Sequence, residues 1–249
     1  MEKTEVIRKK SFGISSNTLK IFACACMLCD HVGYVLVDNN SVMRAIGRLA
    51  FPIFVFLLVE GYCHTSNVKK YILRLFAFAI ISEVPFDLAF SRCIFDISDQ
   101  NVFFTLTAGL TAVYLLDRVL SRAYSAASEY RMILVFGAVL IPAIVAEICR
   151  FDYGMGGIAI IILFYLITPL YGRGKLPDKV KRNTANTLLS AVIYYLFYGL
   201  SELYALFAII PISFYNGKRG KKNKLIQYAF YFFYPVHLLC IYVIYRFIM

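Results

Sequence analysis

The sequence predicts an all-α protein: a polytopic transmembrane helix bundle of about nine helices with a cytoplasmic N-terminus. Three observations predict it. Of the 249 residues, 60% are hydrophobic and 16% charged, whereas a soluble domain has about 45–50% apolar and about 25% charged residues. The apolar residues fall in blocks separated by short polar loops, as a hydrocarbon layer of about 30 Å demands of helices that cross it. Lys and Arg gather mostly in alternate loops, the positive-inside pattern.

Ser16 or Asn17 is expected to cap a first helix over about 19–37, which the polar Asp38-Asn39-Asn40-Ser41 closes. A second follows over about 44–62. Pro52 is expected to kink it, because the carbonyl it frees needs another partner in lipid. Further spans cover about 70–90, 102–117, 131–148 and 156–171. Residues 187–215 are apolar apart from Ser201 and Glu202, too long for one helix and short for two. The loop before them holds Arg173, Lys175, Lys179, Lys181 and Arg182, and the loop after holds Lys218, Arg219, Lys221, Lys222 and Lys224. Both belong on the cytoplasmic side, so the chain crosses twice between them. A last helix covers about 226–248. The expected organisation is a cytoplasmic segment 1–18 and one membrane domain 19–249, with the first apolar segment retained as a helix rather than removed as a signal peptide.

The net charge of +11 does not point to nucleic acid. Nucleic-acid binders gather their cations in a patch on a folded domain, whereas these lie between hydrophobic segments. Cys26-x-x-Cys29 has a redox or zinc spacing, yet no second pair or His cluster accompanies it. The seven cysteines read as small hydrophobes, and no metal site is expected.

An ionisable side chain at the bilayer centre costs roughly 2.5–3.5 kcal/mol even on the gentler insertion scale, so such residues usually face the bundle and serve function. The first helix carries Asp30, His31 and Tyr34 within one turn. The second carries Arg44 and Arg48 at one end and Glu60 and His64 at the other. A short loop makes these two helices antiparallel neighbours, so Asp30 or Asp38 can pair with Arg44 or Arg48. Arg44 and His64 also fit plain interfacial positions, and Glu60 fits a structural partner of His64 or Arg74. Glu83 and Asp87 share a face of the third helix around Pro85; Gln100, Asn101 and Thr105 open the fourth. His237 lies mid-membrane in the last helix, where it fits a packing role equally well. A histidine beside a carboxylate suits general-base chemistry, and an arginine suits a developing oxyanion. The same residue types also suit a proton-coupled carrier.

These residues occur in runs that resemble the TraX family. They are Leu28-Cys29-Asp30-His31-Val32-Gly33-Tyr34, Ile46-Gly47-Arg48-Leu49-Ala50-Phe51-Pro52-Ile53-Phe54, Glu60-Gly61-Tyr62-x-His64-Thr65, Ser82-Glu83-Val84-Pro85-Phe86-Asp87-Leu88, Gln100-Asn101-Val102-Phe103-Phe104-Thr105 and Tyr234-Pro235-Val236-His237-Leu238. They span nearly the whole chain in order, although about 117–215 matches only in hydropathy. The resemblance implies an integral-membrane acetyltransferase in the bacterial cytoplasmic (inner) membrane, similar to a wider superfamily that moves acyl groups from acyl-CoA to extracytoplasmic acceptors. In that superfamily a membrane-embedded His is catalytic. Carried over, His31 is the catalytic candidate, with Asp30 its partner and Arg48 the charge stabiliser. Tyr34, Glu60, His64, Glu83, Asp87, Asn101 and His237 become candidates for binding substrate. Lys69 and Lys70, at a basic helix end, become candidates for attracting acetyl-CoA, the donor. The expected partners are membrane lipid, acetyl-CoA and an acceptor that is a pilin-like peptide or an envelope glycan or lipid. A proton-coupled transporter using Asp30, His31 and Glu83, and a non-catalytic assembly factor, are the rival readings.

Overall fold

The computed structural model describes residues 13–122, 128–170, 176–220 and 223–248. Among them no strand forms. The helices are α1 (Ser16–Val35), α2 (Ser41–Gly47), α3 (Ala50–His64), α4 (Val68–Phe90), α5 (Val102–Arg122), α6 (Ser128–Ile148), α7 (Gly154–Leu170), α8 (Leu176–Tyr198), a 3-10 segment (Leu200–Ala208), α9 (Ile209–Ser213) and α10 (Lys224–Ile248). Among the described residues five stretches are long and apolar enough to cross a membrane: α1, α2 with α3, α5, α6 and α10. Two shorter apolar ones, Gly154–Thr168 and Leu200–Ser213, run among them. Helices α4 and α8, of 23 residues each, are long enough but carry charged residues.

Local chemistry explains the boundaries. Ser15, rather than Ser16 or Asn17, caps α1, its hydroxyl accepting from the Thr18 N–H at 3.3 Å. Asn40 caps α2 by accepting from the N–H groups of Val42 and Met43. The expected single second helix is broken at Arg48–Leu49, one turn before Pro52. Pro52 has no N–H to offer the Arg48 carbonyl four residues back. The chain tightens there instead, the Leu49 N–H bonding the Ile46 carbonyl at 3.2 Å. Arg48 therefore stands at a corner, aimed into the bundle.

The hard stretch 187–215 holds the second half of α8, which begins at Leu176, and an opposed return. Helix α8 ends beside the turn at Tyr153, whose carbonyl accepts from the Tyr198 hydroxyl. The return runs through the 3-10 segment and α9 to Tyr215, which pairs with Ile14 at the start of α1. A 3-10 helix rises about 2.0 Å per residue against 1.5 Å for an α-helix. Nine residues of one and five of the other therefore reach roughly 25 Å, which is how so short a segment returns from the Tyr153 turn to the start of α1.

Helix α3 is the axis, with Ile53 and Val55 wholly buried, and α1, α5, α7 and the 3-10 segment surround it. In lipid every polar group needs an internal partner. Thr107, Thr111, Thr168 and Thr187 bond the carbonyl four residues back at 2.7–2.8 Å. Asp117 of α5 accepts from the hydroxyls of Tyr62 on α3 and Tyr165 on α7, at 2.7 and 2.6 Å, tying three helices together. The two ends of the bundle differ. One, the basic end, gathers Lys69, Lys70, Arg118, Lys218 and Arg219 at helix ends and loops. The other carries the turns 36–40, 91–101 and 149–153. The N-terminal basic cluster Arg8-Lys9-Lys10 and the loop residues Arg173, Lys175, Lys221 and Lys222 lie outside the described residues.

Candidate functional site

The polar side chains of α1 and α2 meet because the two helices approach closely. Gly47 makes this possible: a Cβ there would come within 2.2 Å of the Asp30 Cβ. Asp30 accepts from Arg44 at 2.9 Å across the hairpin, one of the pairings expected. The guanidinium of Arg44 also lies over the Tyr34 ring at 4.9 Å. Arg48 pairs with Glu202 of the 3-10 segment at 2.8 Å, the two side chains 17% and 9% exposed. That burial makes the pair far more consequential than a surface salt bridge.

Asp30 is thus engaged with Arg44, and the partner that holds His31 is His237 of α10. The His31 Nδ1 lies 2.8 Å from the His237 Nε2, and the two rings are nearly parallel, 9° apart. The tautomers follow from the network. His237 Nδ1 lies 2.7 Å from the Phe233 carbonyl oxygen. A carbonyl only accepts, so that nitrogen carries the proton. In the neutral ring Nε2 is then the acceptor, and His31 Nδ1 must donate to it. The Nε2 of His31 is left with a bare lone pair. Phe90 of α4 and Tyr234 of α10 pack edge-on against the His31 ring, at 5.2 and 6.1 Å. His31 therefore faces the bundle, against the third span.

The turn 149–153 closes the site from the far end. Its Gln100–Phe151 bridge, with hydrogen bonds from the Gln100 N–H to Arg150 and from the Asp152 N–H to Gln100 at 2.8 Å each, clips it to the start of α5. Thr105 donates to the Asp152 carbonyl. Tyr153 adopts φ 63°, a left-handed conformation that costs a bulky residue of order 1–3 kcal/mol. Three contacts hold it there: stacking on Phe51 at 3.8 Å, the Tyr198 hydroxyl on its carbonyl, and a hydrogen bond between its phenol and Arg48. Burial and the nearby carboxylates of Glu202 and Asp152 push its phenol well above the usual range, so it stays a proton donor at neutral pH.

Burial also pushes the Asp152 carboxyl up to about 7, against the opposing pull of Arg48. Between about pH 4 and about 7 the folded protein keeps a proton that the unfolded chain has lost. The contribution of this group to stability therefore falls as pH rises through that window. Asp152→Asn is expected to flatten that fall. Thermal unfolding in detergent at pH 4.5 and 7.5 checks it, and an unchanged difference between the two would contradict the assignment.

The other candidates divide between the two ends. Asn101 is fully buried; it donates to the Ala79 carbonyl at 2.8 Å and to Glu83, and it accepts from the Phe103 N–H. Asp87 accepts from the Asp96 N–H at 2.9 Å. These three residues fasten the 91–101 loop and the start of α5, a structural role beside the one expected of them in shaping the acceptor side. Glu60 and His64, 3.3 Å apart, line a cavity of about 660 Å³ at the basic end. Lys69 and Lys70 stand exposed on the first turn of α4, outside its wall. A smaller cavity of about 260 Å³ opens at the opposite end beside Tyr153 and Tyr198. Among the described residues no group of His, Cys, Asp and Glu is arranged to hold a metal.

Sequence reasoning missed Glu202, Asp152 and Tyr153 as members of this centre. Glu202 did carry a signal, as a lone carboxylate in an apolar run. The other two sit in a turn, where polar residues are ordinary.

Fold and site together define a polytopic membrane protein with a histidine pair and two partly buried ion pairs inside its helix bundle. The chain belongs to the TraX family: the family described as TraX protein matches residues 15–245. The chain is 32% identical over 117 residues to the probable fimbrial assembly protein FimC, serogroup H1, of Dichelobacter nodosus, covering 43% of this chain and 48% of that one. It is 25% identical over 149 residues to the uncharacterized protein RP591 of Rickettsia prowazekii (strain Madrid E), covering 59% and 54%. The chain spans about half the length of these curated relatives. No solved structure matches it.

Proposed function

We propose that this protein is an acetyltransferase of the bacterial inner membrane, moving an acetyl group from acetyl-CoA to an amine or hydroxyl on an extracytoplasmic acceptor. The observation that carries this reading is the His31–His237 pair, whose hydrogen bonds leave a bare Nε2 on His31 within the bundle. Such a nitrogen is a competent general base. It removes the acceptor proton as the acceptor attacks the thioester carbonyl. The resulting oxyanion needs donors, and the Arg48 guanidinium has five N–H groups, not all consumed by Glu202 and Tyr153. Collapse breaks the C–S bond, and the imidazolium returns its proton to the departing thiolate, giving free coenzyme A and the acetylated acceptor. The alternative order, with Nε2 taking the acetyl group first, uses the same lone pair. A labelled acetyl group retained on the protein without acceptor distinguishes it.

The basic end of the bundle supports a cytoplasmic donor side. The likeness to a probable fimbrial assembly protein makes a pilin-like peptide the first acceptor to try, with envelope glycans and lipids next. Purified protein incubated with labelled acetyl-CoA and these acceptors tests the reading. Acceptor-dependent label transfer is expected; substrate-driven proton flux without any transfer would favour a carrier.

His237 acts here through His31, as a positioning residue. His237→Phe frees His31 to carry its proton on either nitrogen, and a wrong tautomer costs up to roughly 10⁴-fold in rate. His237→Gln restores an acceptor for the His31 Nδ1 proton and is expected to recover part of that loss, with KM for acetyl-CoA unchanged in both. Equal activity in the two variants would remove the positioning role.

A further inference from the structure

The cavity at the basic end is enclosed by α1, α3, α4, α5, α10 and the 213–219 turn. Its volume falls within the roughly 300–1,000 Å³ of small-molecule sites. Three cations stand on its wall: Lys20, Arg74 and Arg219. Among the described residues none of them forms an ion pair, and the Arg74 Nε is buried without any hydrogen bond. Glu60, the acidic residue of the wall, is engaged with His64. Lys20 and Arg74 are partly buried, whereas Arg219 is exposed and donates to Gln227. A partly desolvated cation without a direct ion-pair partner is costly, so this wall suits an anion. Aromatic rings accompany the cations. Lys20 lies over Phe230 at 5.5 Å and Arg74 over Tyr71 at 5.7 Å. Away from the cations the wall becomes apolar, through Leu57, Phe103 and Leu106, and it reaches Tyr234. The ring of Tyr234 packs against both His31 and His237, at 6.1 and 5.6 Å.

We infer that this cavity seats the donor, with Lys20, Arg74 and Arg219 gripping the phosphates of the nucleotide and the apolar throat leading its thioester arm past Tyr234 to His31. The inference rests on the acetyl-transfer reading and goes beyond it by naming the grip. Phosphates on a long arm are the shared chemistry of a coenzyme A thioester and a membrane phospholipid. The rings beside the cations favour the former, since a purine stacks on them and a glycerol does not. Lys69 and Lys70, outside the wall, contribute only to the general field that draws an anion to this end.

Titrating purified protein in detergent with coenzyme A, the free thiol, measures the seat without any chemistry. Arg74→Gln is expected to weaken binding by at least about tenfold, the loss of one charge-assisted contact. Arg74→Lys should weaken it less, and Lys20→Gln and Arg219→Gln should each weaken it measurably. Lys69→Gln should weaken it less than any wall variant, by an amount that salt removes, and 3′,5′-ADP competes. Unchanged affinity in all three wall variants, or displacement of coenzyme A by phosphatidylglycerol but not by 3′,5′-ADP, overturns the seat. Acetyl transfer by a protein whose wall variants bind normally would overturn the seat and leave the transfer standing. Coenzyme A binding lost in Arg74→Gln, in a protein that transfers nothing, would sustain the seat and overturn the transfer.

Discussion

Replacing His31 with Gln is expected to abolish acetyl transfer, by about 10²–10⁴-fold if the ring serves only as a general base and entirely if it also carries the acetyl group. Gln fills similar space and keeps an N–H for the His237 Nε2, so the bundle should fold and coenzyme A should still bind at the far end of the throat. The loss should fall on kcat, because the missing lone pair acts on the transition state rather than on bound donor. A rate near wild type, in a protein of wild-type melting temperature, would remove His31 from the chemistry while leaving the fold intact.

Arg48 is expected to show the largest combined loss of stability and activity. Arg48→Leu leaves the Glu202 carboxylate buried without its partner at 2.8 Å, and breaking such a pair from one side costs about 3–5 kcal/mol. It also removes the hydrogen bond that holds Tyr153 in its left-handed conformation. Pairing it with Glu202→Leu removes both charges, and buried pairs so replaced are often neutral or better for stability. The double variant should therefore recover its melting temperature while remaining inactive. Recovered activity would assign Arg48 a purely structural role. Arg48→Lys should be stable but slow, since an ammonium cannot reach Glu202 and Tyr153 with one planar fork.

Much of the fold was legible because hydropathy and loop charge report directly on a bilayer. The apolar helices and the reversal of direction within 187–215 follow from them. What they do not report is helix type. A 3-10 segment looks like any other apolar run, so the means by which so few residues return emerges only from its longer rise. The break at Arg48 was half legible: Pro52 announces a disturbance, yet its consequence lies one turn earlier, at the carbonyl it leaves without a donor.

The site divides along a similar line. Asp30, His31, Arg44 and Arg48 are visible because each stands in an apolar segment where an ionisable group is expensive. The pairing of Asp30 with Arg44 follows from the short hairpin. The pairing of His31 with His237 does not, since 206 residues separate them and adjacency along the chain favours Asp30. Of the three cations of the cavity, the sequence offers Arg74 as a partner for Glu60 and Arg219 as a loop charge, and it singles out nothing at Lys20. Only packing reveals that they share one wall.

The account depends on which nitrogen of His31 carries the proton. The chain has three histidines, so ¹⁵N-histidine labelling with NMR in detergent micelles resolves them, His64 being identified by its loss in His64→Gln. The expected spectrum has both His31 and His237 neutral at pH 7.5 and protonated on Nδ1. His31 protonated on Nε2 would contradict the account, because the nitrogen assigned to take the acceptor proton would already hold one.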